Sequence, residues 1–388
     1  MKITLVCDVL GEENNGTTVT TMNLVRSMES KGHSVTILCA DEDKKGKEGF
    51  FVCPNRSFGP FNNYVRRVGV TLAKPVKSII YEAIKDADIV HCMLPFALTK
   101  AAVKMSRELG IPVTAGFHCQ AENFSGYIFM KNFHLLNNFV YRNYYKKVFG
   151  IADGVHYPSQ FIRDLFESKT AKTKGEVISN GVADRFKPIK CAKPEEIKDK
   201  FVIVSTGRYA REKCQDVLIK AVGLSKYRDD IRLVLAGKGV CDRKYERLAR
   251  KYKLIDPKFE FFSREDMLKV LGFADLYVHT AVAELEGIAV LEAVKCGKPI
   301  VVSDSDRTAP KELARDERNL FKAGKAKDLA KKIDYWIEHP DERAECADYY
   351  ANYEKVEPAG DCMDRLEKFF ERVIENKRKE REEAETEA

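Results

Sequence analysis

The sequence predicts an α/β protein built from two doubly wound, Rossmann-like domains. Three observations carry that prediction. Short apolar runs alternate with helical stretches in both halves of the chain, which is the pattern of parallel strands covered by helices on both faces. The length, 388 residues, suits two or three domains at roughly 100–200 residues each. The alternation is interrupted at FKPIKCAKPEEIKDK, a Pro- and Lys-rich stretch near residues 185–200 that lacks periodicity, as a linker does. The expected division is therefore 1–187 and 188–360. Residues 361–388 would form a C-terminal amphipathic helix, able to pack back on the first domain, and a charged tail that is solvated and frayed. The architecture reads as duplicated, although no repeat is visible in the sequence.

In chain order, the strands of the first half are expected at Ile3–Cys7, Ser34–Cys39, Ile89–Met93, Val113–Phe117 and Gly154–Tyr157. Each is a short continuous apolar run, as a strand buried on both faces requires. Those of the second half are expected at Phe201–Thr206, Ile231–Ala236, Phe259–Phe262, Leu276–His279 and Pro299–Ser303. Helical spacing of apolar residues marks Thr20–Lys31, Thr99–Leu109, Cys214–Lys226 and Arg243–Lys253 between them.

Composition narrows the class. Apolar residues make up 44% and charged residues 32%, an ordinary globular balance. No apolar run approaches the roughly 18 residues of a membrane span, and MKITLVCDVL, with Asp8 so early, reads as a buried strand rather than a leader. The 11 cysteines are scattered, form no C-x-x-C, and in part lie inside apolar runs (Cys7, Cys39, Cys92). Reduced core thiols in a cytoplasmic protein are expected, with no metal site of Cys and His at ligand spacing. The formal charge of +7 is uneven: 26 Lys+Arg against 18 Asp+Glu in residues 1–190, leaving 40 against 41 in the remainder. A basic first half needs a polyanion, an anionic membrane or chance to explain it.

Ligands of open α/β sheets bind beyond the carboxyl ends of the strands, so the loops there hold the candidate chemistry. After the first strand, Asn15-Gly16-Thr17-Thr18 runs directly into a helix. A Gly at a helix N-terminus suits a phosphate, and equally a plain turn with a Thr cap. It is neither G-x-G-x-x-G nor a P-loop, which argues against a Rossmann dehydrogenase or a P-loop kinase. After Phe201–Thr206, Arg208 and Lys213 flank a short loop. A guanidinium fork beside a point charge suits a diphosphate, although surface cations are common in loops. After Leu276–His279 comes ELEGIAVLEAVKCGKPIVV. Glu284 falls on the loop, Gly287 permits a tight approach, a helix begins near Ile288, and Glu292 lies about one turn in. Two carboxylates eight residues apart can accept hydrogen bonds from sugar or ribose hydroxyls at different points of one ligand. They are also ordinary acidity at a helix start.

Arg208…Lys213, then Glu284-x7-Glu292 with Gly287 and Cys296-Gly297-Lys298-Pro299, resembles the retaining GT-B glycosyltransferases of family 4. NGVADRF (Asn180–Phe186) resembles that family's linker and GHSVTILC (Gly32–Cys39) its second strand. The resemblance implies a GT-B fold, two Rossmann-like domains facing a central cleft. It implies that Arg208 and Lys213 hold the donor diphosphate and stabilise the leaving group's charge. Glu292 would bind the donor ribose. Glu284 and the backbone around Glu286–Ile288 would bind the donor sugar, with Phe262 counted among the donor contacts. Gly16 would approach the phosphates from the other domain, and His118, after Val113–Phe117, matches a family His near the transferred sugar. Taken by itself, a lone His is more readily a packed or exposed imidazole than a ligand contact. One departure stands out: the family usually has an aromatic before the Gly, and this chain has Glu286, which bears on sugar choice and metal sensitivity.

Asp304-Ser305-Asp306 has the form of a D-x-D metal motif, but it follows a strand of an already assigned domain and reads as a loop or cap. No residue pattern requires a metal or other cofactor, and the nucleotide sugar is a substrate. On the acceptor side, Phe61, Tyr64, Val65, Val68, Leu72, Val76 and Ile79–Ile80 recur at helical spacing among Arg66, Arg67, Lys74 and Lys77, with Pro75 as a kink or break. Residues 124–149 hold nine Phe and Tyr with Lys131, Arg142, Lys146 and Lys147. Aromatic and basic residues on amphipathic helices suit a membrane interface, and they suit a core face with solvated lysines as well. HCQAEN (His118–Asn123) and DERNLF (Asp316–Phe321) resemble diacylglycerol glucosyltransferases within the family. That resemblance implies UDP-glucose as donor and a lipid acceptor such as 1,2-diacylglycerol, on the inner face of the cell membrane. A soluble or polyprenyl-linked glycan acceptor, and a non-catalytic sugar-nucleotide-binding protein, are the alternatives. Nucleic acid is excluded by the lack of any recognition module.

Overall fold

The computed structural model describes residues 1–8, 10, 16–59, 62, 72–122 and 133–387. They form two compact units: Met1–Asn180 together with Gly360–Ala388, and Gly181–Ala359.

In the first unit, β1 (Lys2–Cys7), β2 (Ser34–Cys39), β3 (Phe50–Val52), β4 (Ile89–Cys92), β5 (Val113–Gly116), β6 (Gly154–Tyr157) and β7 (Gly175–Val177) make one parallel sheet in the order β3-β2-β1-β4-β5-β6-β7. Among the described residues its helices include α1 (Gly16–Ser30), α2 (Lys77–Ile84), α3 (Ala97–Leu109), α4 (His134–Tyr144) and α5 (Gln160–Lys169). The central strands are buried along their length, as their unbroken apolar runs require. Pro75 stands just before α2, where its missing N–H and fixed φ end one segment and precede the next.

The second unit carries β8 (Phe201–Thr206), β9 (Ile231–Ala236), β10 (Lys258–Glu260), β11 (Leu276–His279), β12 (Ile300–Ser303) and β13 (Leu320–Phe321), parallel in the order β10-β9-β8-β11-β12-β13. Between and after them run α6 (Gln215–Leu224), α7 (Asp242–Lys251), α8 (Arg264–Phe273), α9 (Ile288–Lys295), α10 (Ala326–Glu338) and α11 (Pro340–Ala351). The chain enters and leaves this unit side by side: Val182 N–H donates to Glu357 C=O at 3.0 Å and Ala359 N–H to Val182 C=O at 2.9 Å.

The last helix, α12 (Ala359–Glu387), belongs to the first unit. Cys362, Met363, Leu366, Phe369, Phe370 and Val373 enter one core with Ile3, Leu5, Cys7 and Ile89. Its end differs from the frayed tail expected. The charged run stays exposed but helical, because cations and carboxylates fall one turn apart: Arg378 lies 3.1 Å from Glu375 and 3.7 Å from Glu382, and Lys379 lies 3.4 Å from Glu375. All 11 cysteines are free thiols, and all but Cys191 are buried.

Candidate active site

In the second unit, the ends of β8 and β11 bring together residues far apart in the chain. Arg208 follows β8 by two residues, past Gly207, and its Nη2 lies 3.2 Å from Glu212 Oε1. Lys213 ends a single 3-10 turn (Arg211–Lys213) just before α6. Gln215, buried in the first turn of α6, donates to Arg208 C=O at 3.1 Å and accepts from the Tyr245 hydroxyl at 2.9 Å. These bonds hold the Arg208 loop against the start of the helix.

The loop after β11 is tied to the same place. Thr280 Oγ1 donates to Lys213 C=O at 2.8 Å, and Val282 N–H donates to Glu212 C=O at 3.0 Å. Glu284 N–H donates to Arg307 C=O, and Ala309 N–H to Glu284 C=O, both at 3.0 Å. So fixed, the Glu284 carboxylate forms an ion pair with Lys213 Nζ and lies 3.3 Å from His279 Nε2. Burial alone would raise its pKa, but the Lys213 charge and the His279 contact hold it at about 2. Burial in turn pushes His279 below its ordinary value. The carboxylate is ionised and the imidazole neutral at pH 7.

Gly287 precedes α9 in the left-handed region, φ 83°. A Cβ there would collide with Pro310 Cγ, so glycine is required on both counts. Ile288 opens the helix. Glu292 lies one turn in; its carboxylate makes no hydrogen bond to the described residues, and burial pushes its pKa up to about 7 against the lowering fields of Arg185 and Arg264. Glu286 is buried, and Phe262, two residues past β10, packs on the unit's core. The chemistry available is that of two cations, one ionised carboxylate, one carboxylate poised to titrate, and two helix N-termini. It suits a phosphorylated polyol.

Asp304-Ser305-Asp306 is a loop with its groups in use. Asp304 Oδ1 accepts from Ala323 N–H at 2.7 Å, Ser305 donates to Val282 C=O at 2.8 Å, and Asp306 pairs with Lys311 at 2.8 Å.

In the first unit, Gly16 is the first residue of α1 and its surroundings lie outside the described residues, as do Arg66, Arg67 and Lys131. Lys74 is exposed and Lys77 opens α2, also exposed. Arg142 is exposed on α4, and Lys146 and Lys147 are exposed on the π-turn that follows it. His118 is 8% exposed. Burial and the neighbouring His156 push its pKa down to about 3, so it is neutral. His279, Thr280 and Gln215 escaped the sequence reading; His279 is the last residue of the expected strand as of β11, so the strand-end rule already reached it.

Two parallel α/β sheets of these orders, with this set of residues at the carboxyl ends of β8 and β11, define a GT-B hexosyltransferase. Residues 14–186 match the family described as Glycosyltransferase Family 4, and residues 187–353 match Glycosyl transferases group 1. The chain belongs to glycosyltransferase family 4. It is 25% identical to alpha-monoglucosyldiacylglycerol synthase of Streptococcus pneumoniae over 317 residues, 78% of this chain and 70% of that protein. Anabaena HepE in complex with UDP and glucose shares the fold with a TM-score of 0.74 at 17% identity, over 96% of this chain and 99% of that one. The catalytic domain of Helicobacter pylori cholesterol-alpha-glucosyltransferase is 44% identical over 39% of this chain and 95% of its own, with a TM-score of 0.36; the fold assignment does not draw on it.

Proposed function

We propose that this enzyme transfers glucose from UDP-glucose to a lipid hydroxyl, such as that of 1,2-diacylglycerol, with retention of configuration, at the cytoplasmic surface of the cell membrane. The observation that carries the lipid acceptor is on α4. Leu135 is 74% exposed and Phe139 67% exposed. At about 100° per residue they share an arc of about 60° with the exposed Arg142. An apolar stripe edged by cations is what an anionic interface takes up. Among the described residues no helix is both long and apolar enough to cross a membrane. The monoglucosyldiacylglycerol synthase likeness supports the same acceptor class.

In this reading Arg208 and Lys213 meet the donor diphosphate, Glu284 accepts hydroxyls of the sugar, and Glu292 accepts those of the ribose. The acceptor oxygen bonds to the anomeric carbon on the face the diphosphate leaves. The carbon–oxygen bond to phosphate breaks with its electron pair on UDP, and the acceptor proton passes to a phosphate oxygen. Cations placed at that developing charge lower the barrier without a carboxylate nucleophile. The chemistry asks for no metal. UDP release from a panel of sugar nucleotides, with and without diacylglycerol in anionic vesicles, tests the proposal. Turnover on soluble glycans alone, with no vesicle binding, would sink the lipid acceptor.

A further inference from the structure

The first unit holds a second cluster of chemically capable groups. His91 lies on β4 and His156 on β6, flanking β5. In register, His91 stands beside Thr114 and His156 beside Gly116. Paired residues in a parallel sheet share a face, and so do residues two apart along a strand. His118, two beyond Gly116, folds back over that face. A Cβ on Gly116 would lie 2.5 Å from His118 Nε2 and 3.3 Å from His91 Nε2, so the missing side chain is what makes room for both rings.

One ring nitrogen of each histidine lies within 4.8 Å of those of the other two. The outward nitrogens of two are already engaged. Thr114 Oγ1 lies 3.4 Å from Val90 C=O as donor, which leaves it to accept from His91 Nδ1 at 2.9 Å. His156 Nε2 donates to Ile178 C=O at 2.7 Å. Those bonds fix the tautomers and leave lone pairs on His91 Nε2 and His156 Nδ1. These two nitrogens and His118 Nε2 are buried and have no hydrogen-bond partner. An orphaned buried polar atom costs about 1–3 kcal/mol, and here three of them converge. Imidazoles with inward lone pairs and outward N–H groups held by a second layer of acceptors form the donor set of transition-metal centres.

We propose that His91, His118 and His156 bind one divalent transition-metal ion of the zinc class, tying β4, β5 and β6 together. The ring of Phe370, 5.0 Å from His91, places the cluster beneath α12. The cluster belongs wholly to the first unit, and it gives His118 an occupation other than sugar contact. An enclosed water could accept from His118 and donate to the other two, so the test must distinguish metal from water.

The full chain, expressed without a polyhistidine tag and dialysed against metal-free buffer, should carry about one zinc per molecule by elemental analysis. Adding zinc to chelator-stripped protein should raise the melting temperature, as a ligand that binds only the native state does. Cobalt(II) should give the visible bands of a four-coordinate centre. His156→Gln and His91→Gln should each lose the metal and the bands, while His134→Gln, altered on exposed α4, should keep both. Should the histidine variants fail to fold, the wild-type stoichiometry, melting shift and cobalt spectrum decide alone. Metal-free protein with no zinc-dependent shift and no cobalt bands would overturn the proposal in favour of water.

Discussion

Lys213 and Glu284, 71 positions apart in the chain, meet as a half-buried ion pair at the junction of the β8 and β11 loops. The pair links two loops already joined by the Thr280 hydroxyl and the Val282 N–H. Removing either partner leaves the other charge in a partly dry site. Lys213→Ala should lower kcat/KM by about a hundredfold or more, and Glu284→Gln by a similar factor. Because they act as a unit, the double variant should lose far less than the product of the single losses. Steady-state kinetics on the four proteins checks this. Unchanged turnover in either single variant would refute the site.

On the proposed role of Glu292, donor binding should depend on pH. Its carboxyl titrates at about 7, and ribose hydroxyls donate only to the ionised form with full strength. UDP-glucose affinity should therefore rise from pH 5.5 to 7.5 and then level off. Calorimetry in buffers of different ionisation enthalpy should show proton release on binding near pH 6.5. In Glu292→Gln the slope and the release should both vanish.

Stability should run the other way over the same range. Asp8, ordinarily near 3.8, and Glu292, ordinarily near 4.5, are both pushed up to about 7 by burial. The folded protein therefore holds protons that the unfolded chain gives up. That contribution is complete below about pH 4, falls as pH rises to 7, and is constant above. Glu284, held at about 2, contributes in the opposite sense: its stabilisation is present above 4.5 and is lost on acidification toward 2. Urea denaturation at pH 5 and 7.5 should show the wild type losing more stability between them than Glu292→Gln, by about 2 kcal/mol.

Gly287→Ala should destabilise the second unit by about 1–3 kcal/mol and weaken donor binding. The new methyl must sit at φ 83° against Pro310, and relief of the clash moves the start of α9, where Glu292 is carried. A melting temperature and UDP-glucose affinity equal to wild type would show that the loop can relax without cost.

Phe139→Asp should leave the melting temperature unchanged, because the ring is largely exposed, and weaken binding to anionic vesicles. Burying such a side chain in an interface is worth about 1.5–3 kcal/mol, or at least about tenfold in partition. Flotation with and without anionic lipid reads the effect.

Most of the sheet framework was legible because buried parallel strands write themselves as continuous apolar runs. Gly154–Tyr157, Phe201–Thr206, Ile231–Ala236 and Leu276–His279 lie where their residues indicate. The strands missed are β3, β7 and β13, each at or near a sheet edge and only two or three residues long. GEV offers one apolar residue and no period. Phe259–Phe262 was set late because β10 ends at Glu260, and both phenylalanines beyond it lie outside the strand. Arg208, Lys213, Glu284 and Glu292 were legible through motif spacing. The partnership of Lys213 with Glu284 was not, since it depends on how β8 and β11 pair. His91 and His156 were hidden for a different reason. Each is a single polar residue in an apolar run, and only strand register reveals that both face Gly116.

The return of α12 to the first unit has a consequence for how the protein is made. The second unit is one uninterrupted stretch of chain, whereas the first needs its N-terminal residues and its last helix together. During synthesis the sheet of β1–β7 must wait, the side of its core that Phe369 and Phe370 cover open to solvent, until α12 has emerged. Domains generally fold in the order they emerge. Here the later-made unit can close first, and the earlier one is completed only once α12 has been made. A premature stop soon after residue 359 would leave the second unit whole and deprive the first of Cys362, Leu366, Phe369 and Phe370, leaving it to chaperones.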